Sequence, residues 1–102
     1  MDDLVWTLAA ECDVQAIYER VERREEGSGD MFYDELLKVL RLLEKFPQLG
    51  SSLQHRRVRR LLVYNRNYGL FYVPEKRGVI LHALFDLRQD PELIRRRLSE
   101  LP

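Results

Sequence analysis

Residues 57–91 constrain the fold most, because they hold three short apolar runs separated by turn formers. The runs read VRRLLV over 58–63, NYGLFYV over 67–73 and VILHALFDLRQDP over 79–91. Asn65-Arg66-Asn67 separates the first two, and Pro74-Glu75-Lys76-Arg77-Gly78 separates the next two. Asn and Gly accept, and Pro presets, the backbone angles of a tight reversal. The segment therefore predicts a three-stranded antiparallel meander.

The chain before the meander predicts a strand and two helices. Leu4-Val5-Trp6-Thr7 is short, apolar and β-prone, and predicts an N-terminal strand joining the same sheet. Ala10, Val14, Ile17 and Val21 form one helical stripe, which sets a first helix at about 9–24. Gly27-Ser28-Gly29 breaks the chain, and Asp30 offers a cap for a second helix at about 31–45. Phe32, Leu36, Val39, Leu40 and Leu43 line one side of it, and Tyr33 and Leu37 widen the stripe. Pro47 and Gly50 end it. Two amphipathic helices must bury their apolar faces, and a sheet is the available partner.

After the last strand, Asp90-Pro91 is a helix start: a side-chain acceptor at the cap, then Pro in the first turn. Ile94, Leu98 and Leu101 then recur at helical spacing, beside Leu93. This stripe either docks on the domain or offers a partner surface. The expected fold is α+β: a helical hairpin on a four-stranded, mainly antiparallel sheet, with a short C-terminal helix. The expected core includes Leu36, Leu40, Leu43, Val63, Phe71 and Phe85.

Gross properties narrow the function. At 102 residues the chain is expected to be one domain, 1–102. The single Cys12 excludes an intrachain disulfide and a multi-cysteine zinc site, which fits a reducing cytoplasm. Acidic Asp2 and Asp3 do not suit a secretory leader, and the apolar stretches are too short to span a bilayer. No cofactor, metal or membrane association is expected. Lys plus Arg equals Asp plus Glu at 17 each, which argues against broad nucleic-acid binding. Positive charge concentrates instead at His55-Arg56-Arg57, at Arg59-Arg60 and at Arg95-Arg96-Arg97.

In detail the chain resembles the RelE/ParE superfamily of type II toxin–antitoxin toxins. Trp6-Thr7 followed by Ala9 or Ala10, Asp13 and Ile17-Tyr18 is similar to the family's first strand and helix. Leu40, Leu43, Pro47 and Gly50 resemble its helix exit. Val58-Arg59, Leu61 to Val63 and Leu70-Phe71-Tyr72 are similar to its next strands. Leu84-Phe85-Asp86 and Arg88-Gln89-Asp90-Pro91 are similar to its last strand and exit.

The resemblance implies a toxin neutralised by a cognate antitoxin in a hetero-oligomer. RelE-type members cleave messenger RNA in the ribosome, and ParE-type members poison DNA gyrase. RelE-type cleavage needs cations to stabilise a strained phosphate, and groups that transfer protons. Against that pattern Gly69 stands where a basic residue precedes the third-strand aromatics, Ile94 stands at a tail tyrosine position, and Leu62 replaces another cation. Arg60 and Arg88 survive. The resemblance therefore lies nearer ParE, with inhibitory binding to gyrase as the mechanism. A ribosome-dependent endoribonuclease with a non-standard site, and a non-toxic relative that only binds an antitoxin, are the rivals.

For a nuclease, the catalytic candidates are Arg60, Arg88 and His82. His82 is usable as an acid or base near neutrality. Strict alternation places it with Ile80 and Leu84, opposite Val79, Leu81, Ala83 and Phe85. For target or partner binding, the candidates are Arg59, Arg60, Tyr72, Asp86 and Arg88. Tyr72 also reads as a packed sheet aromatic, and Asp86 with Arg88 as a local ion pair.

Overall fold

The computed structural model describes residues 3–102, so Asp2 lies outside the described residues. In chain order the elements are β1 (Asp3–Trp6), α1 (Leu8–Arg24), α2 (Ser28–Lys45), β2 (Ser51–Ser52), β3 (Arg59–Val63), β4 (Tyr68–Glu75), β5 (Gly78–Asp86) and α3 (Pro91–Ser99). They build one five-stranded sheet of order β1-β5-β4-β3-β2. β1 runs parallel to β5, and the other neighbours are antiparallel. The meander and the N-terminal strand are as expected. The sheet has five strands rather than four because Ser51 and Ser52 pair with Arg60 and Arg59. A two-residue strand is too short to show alternation.

Two helix starts follow different chemistry. Thr7 caps α1, its Oγ1 accepting the Ala10 N–H at 3.1 Å. α2 begins at Ser28, three residues earlier than expected, and Asp30 is not its cap. The Glu22 carboxylate on α1 takes that role, accepting the N–H groups of Gly27 (3.0 Å) and Gly29 (2.9 Å). Asp30 instead accepts the Tyr18 hydroxyl at 2.7 Å. Gly29 makes this crossing possible: a Cβ there would sit 2.9 Å from the Tyr18 ring and from the Glu22 carboxylate.

One face of the sheet packs against α1 and α2. Ile17, Val21, Phe32, Leu36, Leu40 and Leu43 meet Val63, Leu70, Tyr72, Leu81 and Leu84 there. Tyr33, expected to widen the buried stripe, is 44% exposed. The second face carries a smaller core of Val58, Phe71, Val73, Ala83 and Phe85, with Phe71 and Phe85 stacked 4.6 Å apart. α3 lies over it, and Ile94, Leu98 and Leu101 supply the cover. The C-terminal stripe therefore docks on its own domain.

Three polar ties hold α3. Asp90 caps it, accepting the Glu92 N–H at 2.9 Å. The Arg56 guanidinium donates to the terminal carbonyls of Leu98 and Leu101. Asp13 on α1 accepts both Arg97 (2.5 Å) and the backbone N–H of Leu84 (3.0 Å). Arg97 also stacks 5.0 Å above the Phe85 ring.

Two departures concern β4 and β5. Pro74, expected in a turn, lies inside β4 opposite Val79. β3 stops opposite Tyr72, so beyond that point β4 has an unpaired edge where a missing N–H breaks no ladder bond. The second is a bulge: Phe71 pairs with Ala83 but Tyr72 pairs with Leu81, leaving His82 as the extra residue. Strict alternation therefore fails at His82. Leu84 joins Val79 and Leu81 on the helix-hairpin face, while Ala83 and Phe85 turn to the second face. No described helix is long and apolar enough to cross a membrane.

Candidate functional site

Asp86 and Arg88 are brought together where β5 ends. The carboxylate chelates the guanidinium, Oδ1 to Nε and Oδ2 to Nη2 both at 3.0 Å, and also accepts the Arg88 backbone N–H at 2.8 Å. Burial alone would raise the Asp86 pKa, but the side-chain and backbone hydrogen bonds of Arg88, helped by the charges of Arg88 and Arg20, leave it below the usual carboxylate value. Arg88 is pushed above its ordinary value, chiefly by its hydrogen bond to Asp86. The guanidinium also lies 5.6 Å over the Tyr68 ring.

Behind that pair the β3–β4 turn carries strain. Tyr64, Asn65 and Arg66 have φ of 50°, 57° and 64°. Such left-handed backbone costs roughly 1–2 kcal/mol per residue when a Cβ is present. Tyr64 helps to offset it by packing edge-on to Phe32 at 5.9 Å and stacking on Tyr68 at 6.3 Å. The result is a ladder of Arg88, Tyr68, Tyr64 and Phe32. Beside it lies a cleft of about 170 Å³ whose lining includes Arg24, Glu25, Ser28, Tyr64, Asn67 and Arg88.

The other expected site residues do not join this cluster. Arg59 donates to the carbonyls of Gly50 (2.7 Å) and Gln48 (3.2 Å), pinning the approach to β2. Tyr72 has no exposed surface, and its hydroxyl accepts the Gly50 N–H at 2.7 Å. Burial raises its pKa, against the weaker influence of the Gly50 hydrogen bond and of Arg59. It is a packed sheet aromatic, and it drops out of the binding surface.

Arg60 pairs with Phe71 across the ladder, so it shares the second face, where its side chain makes no hydrogen bond or ion pair among the described residues. His82 sits on the bulge and borders a cleft of about 490 Å³ with Cys12, Asp13, Arg97 and Glu100. Burial lowers its pKa, the charge of Glu75 raises it, and that of Arg57 lowers it, for a net decrease. Arg57 itself is paired with Glu75 at 2.8 Å.

Arg60, His82 and Arg88 thus occupy the second face, a bulge and the strand exit. Among the described residues, His82 borders one cleft and Arg88 another, and Arg60 borders neither of these two. Gly69 explains part of this. A Cβ at that position would lie 2.9 Å from the Phe71 ring and 3.2 Å from Leu87, so packing on the second face excludes a basic side chain. Ile94 is likewise committed to that packing. Sequence reasoning missed Arg24 and Tyr64, which line the cleft beside Arg88.

A helical hairpin over one face of a small mixed sheet, with α3 over the other, defines a compact α+β fold. The fold is similar to that of a solved chain described as "Chromosomal ParDE TA system from P. aeruginosa", with a TM-score of 0.73 and 15% identity over 86% of this chain and 98% of that one. The model of the family described as the ParE toxin of type II toxin–antitoxin systems, parDE, matches residues 4–91. The chain belongs to the ParE toxin family. No curated protein matches it.

Proposed function

We propose that the chain inhibits growth by binding DNA gyrase and that a cognate antitoxin neutralises it in a hetero-oligomer. The observation that carries the first half is the dispersal of Arg60, His82 and Arg88, which supports inhibitory binding over message cleavage. Target contact falls to Arg60 and to the Asp86–Arg88 pair. Arg presents a planar fork suited to carboxylate or phosphate, and Asp86 holds the Arg88 fork in a fixed orientation.

Two unfilled features suit an antitoxin. The hairpin carries a groove of about 350 Å³ lined by Trp6, Val14, Tyr33, Leu37 and Leu40, with Glu11 and Gln15 on its rim. β2 covers only Arg59 and Arg60, so the outer edge of β3 is open from Leu61 to Val63. A segment that folds on binding uses such features, laying apolar side chains in a groove or adding a strand. The contact should bury at least about 1,000 Å² in total.

Induced expression of the chain alone, followed by gyrase supercoiling and message-integrity assays, tests the reading. Growth arrest with impaired supercoiling and intact messages is expected, with relief by the Arg60→Ala, Arg88→Ala double variant. Cleaved messages with normal supercoiling would overturn it.

A further inference from the structure

We infer that the side of α2 turned away from α1 is a self-complementary surface, which pairs with the same surface on a second copy of this chain about a two-fold axis. The inference rests on that flank alone and goes beyond the gyrase and antitoxin reading. α2 has three sides. Phe32, Leu36 and Leu43 are buried against the sheet. Tyr33 and Leu37 line the groove shared with α1. Met31, Leu42 and Phe46 belong to neither. They fall at i, i+11 and i+15, one stripe of a 3.6-residue helix, with Phe46 as the C-cap. Their exposures are 61%, 46% and 56%. A single exposed apolar residue needs no explanation, but three large ones along a stripe about 22 Å long do.

The stripe is concave at one end and convex at the other. Its N-terminal half borders a cleft of about 350 Å³ lined by Met31, Asp34, Glu35, Lys38, Tyr64 and Asn65. Leu42 and Phe46 stand out from its C-terminal half. In a two-fold contact residue i meets residue j, and j meets i. Antiparallel pairing of α2 with its copy, centred near Val39, places Leu42 and Phe46 of each copy at the cleft of the other. One operation fills both clefts, and the assembly closes at two copies. Parallel pairing sets Phe46 on Phe46 and Asp34 on Asp34, and leaves both clefts empty.

Charge follows the same symmetry. Asp34, on the cleft, and Lys45, beside Phe46, are both exposed and make no ion pair among the described residues. They lie on one side of α2, so pairing centred near Val39 sets each Asp34 against the Lys45 of the other copy. Glu35 and Lys38 balance each other within the helix at 3.6 Å, and two such pairs stay balanced around the axis. Glu44 is the acid that opposes this pattern in the C-terminal half of α2. It falls four residues after Leu40 and seven after Leu37, on the side of the α1 groove.

Sedimentation equilibrium of the purified chain alone, between about 1 and 500 μM, tests this. The average mass should rise reversibly from one copy to two and no further. Asp34→Lys and Lys45→Asp should each weaken the dimer roughly tenfold or more, because each sets like charges together twice per dimer. The two changes combined restore opposite pairs and should return the dimer to within about threefold of wild type. Phe46→Ser should weaken it roughly tenfold, while Tyr33→Ser, in the α1 groove, should change it less than about twofold. All four positions are exposed, so circular dichroism spectra and Tm should match wild type. A chain that stays monomeric throughout leaves the flank to the antitoxin and overturns the inference. So does a double reversal no better than the single ones, or an equal loss for the Tyr33 and Phe46 variants. Supercoiling and antitoxin binding are read in separate assays, so either reading can fail without the other.

Discussion

Asp13→Ala isolates the junction between α1, β5 and α3. The Asp13 carboxylate accepts the Leu84 N–H beside the bulge and pairs with Arg97. Removing it leaves a strand N–H unpaired, which costs about 1–3 kcal/mol. The Arg97 pair adds less, because that side chain is 33% exposed; solvent reduces it to about 0.5–1 kcal/mol. A combined loss near 2 kcal/mol corresponds to a fall in Tm of roughly 8–16 °C for a domain of this size. Asp13→Asn keeps an oxygen for the Leu84 N–H and loses only the charge, so it should fall by less than about half as much. Thermal unfolding followed by circular dichroism, with Arg97→Ala completing a double-mutant cycle, separates the two contributions. Equal losses for the Ala and Asn variants would refute the assignment of the larger share to the Leu84 N–H.

Leu40 is 7% exposed in the hairpin core, and Leu40→Ala should cost about 2–5 kcal/mol; an unchanged denaturation midpoint would show that the packing is misassigned. Gly69→Lys must displace Phe71 and Leu87, so it should destabilise by about 1–3 kcal/mol and confer no message cleavage; a stable variant that cleaves message would contradict both points. His82 has a lowered pKa, so the unfolded chain binds the extra proton first as pH falls. Its contribution is then complete above about pH 6.5 and declines as pH falls towards the folded value. The Tm difference between wild type and His82→Gln should therefore narrow on acidification, and a widening difference would reverse the sign.

The parts legible in the sequence were those set by periodicity and turn chemistry. Ile17, Val21, Leu36 and Leu43 repeat at helical spacing and are buried, and Asp90-Pro91 starts a helix where the residues say it should. What escaped depended on partners distant in the chain. Asp30 had the right side chain for a cap, but the helix starts three residues earlier, where Glu22 of the preceding helix accepts the Gly27 and Gly29 N–H groups. His82 fitted an alternating strand until the bulge made it the extra residue and moved Leu84, Ala83 and Phe85 to other faces. Tyr72 was equally suited by type to surface or core, and only the β4 register buried it. At the candidate site Asp86 and Arg88 were legible because they are two apart. The place of Tyr64 beside them was not, since it depends on the left-handed turn that stacks its ring on Tyr68.

The pairing of β1 with β5 sets a timetable for synthesis. Trp6 waits for Leu81, and the Thr7 hydroxyl waits for the carbonyl of His82, 75 residues later. At ribosomal rates of 5–20 residues per second that interval is roughly 4–15 s. The α1–α2 hairpin needs only local contacts and can form early in it. Over the second half of that interval, after Lys45 has been made, the Ile17, Phe32, Leu36 and Leu43 surface exists without the complete sheet that covers it. The proposed antitoxin, if already present in the cell, would meet the nascent chain in that interval, before its last strand has been made.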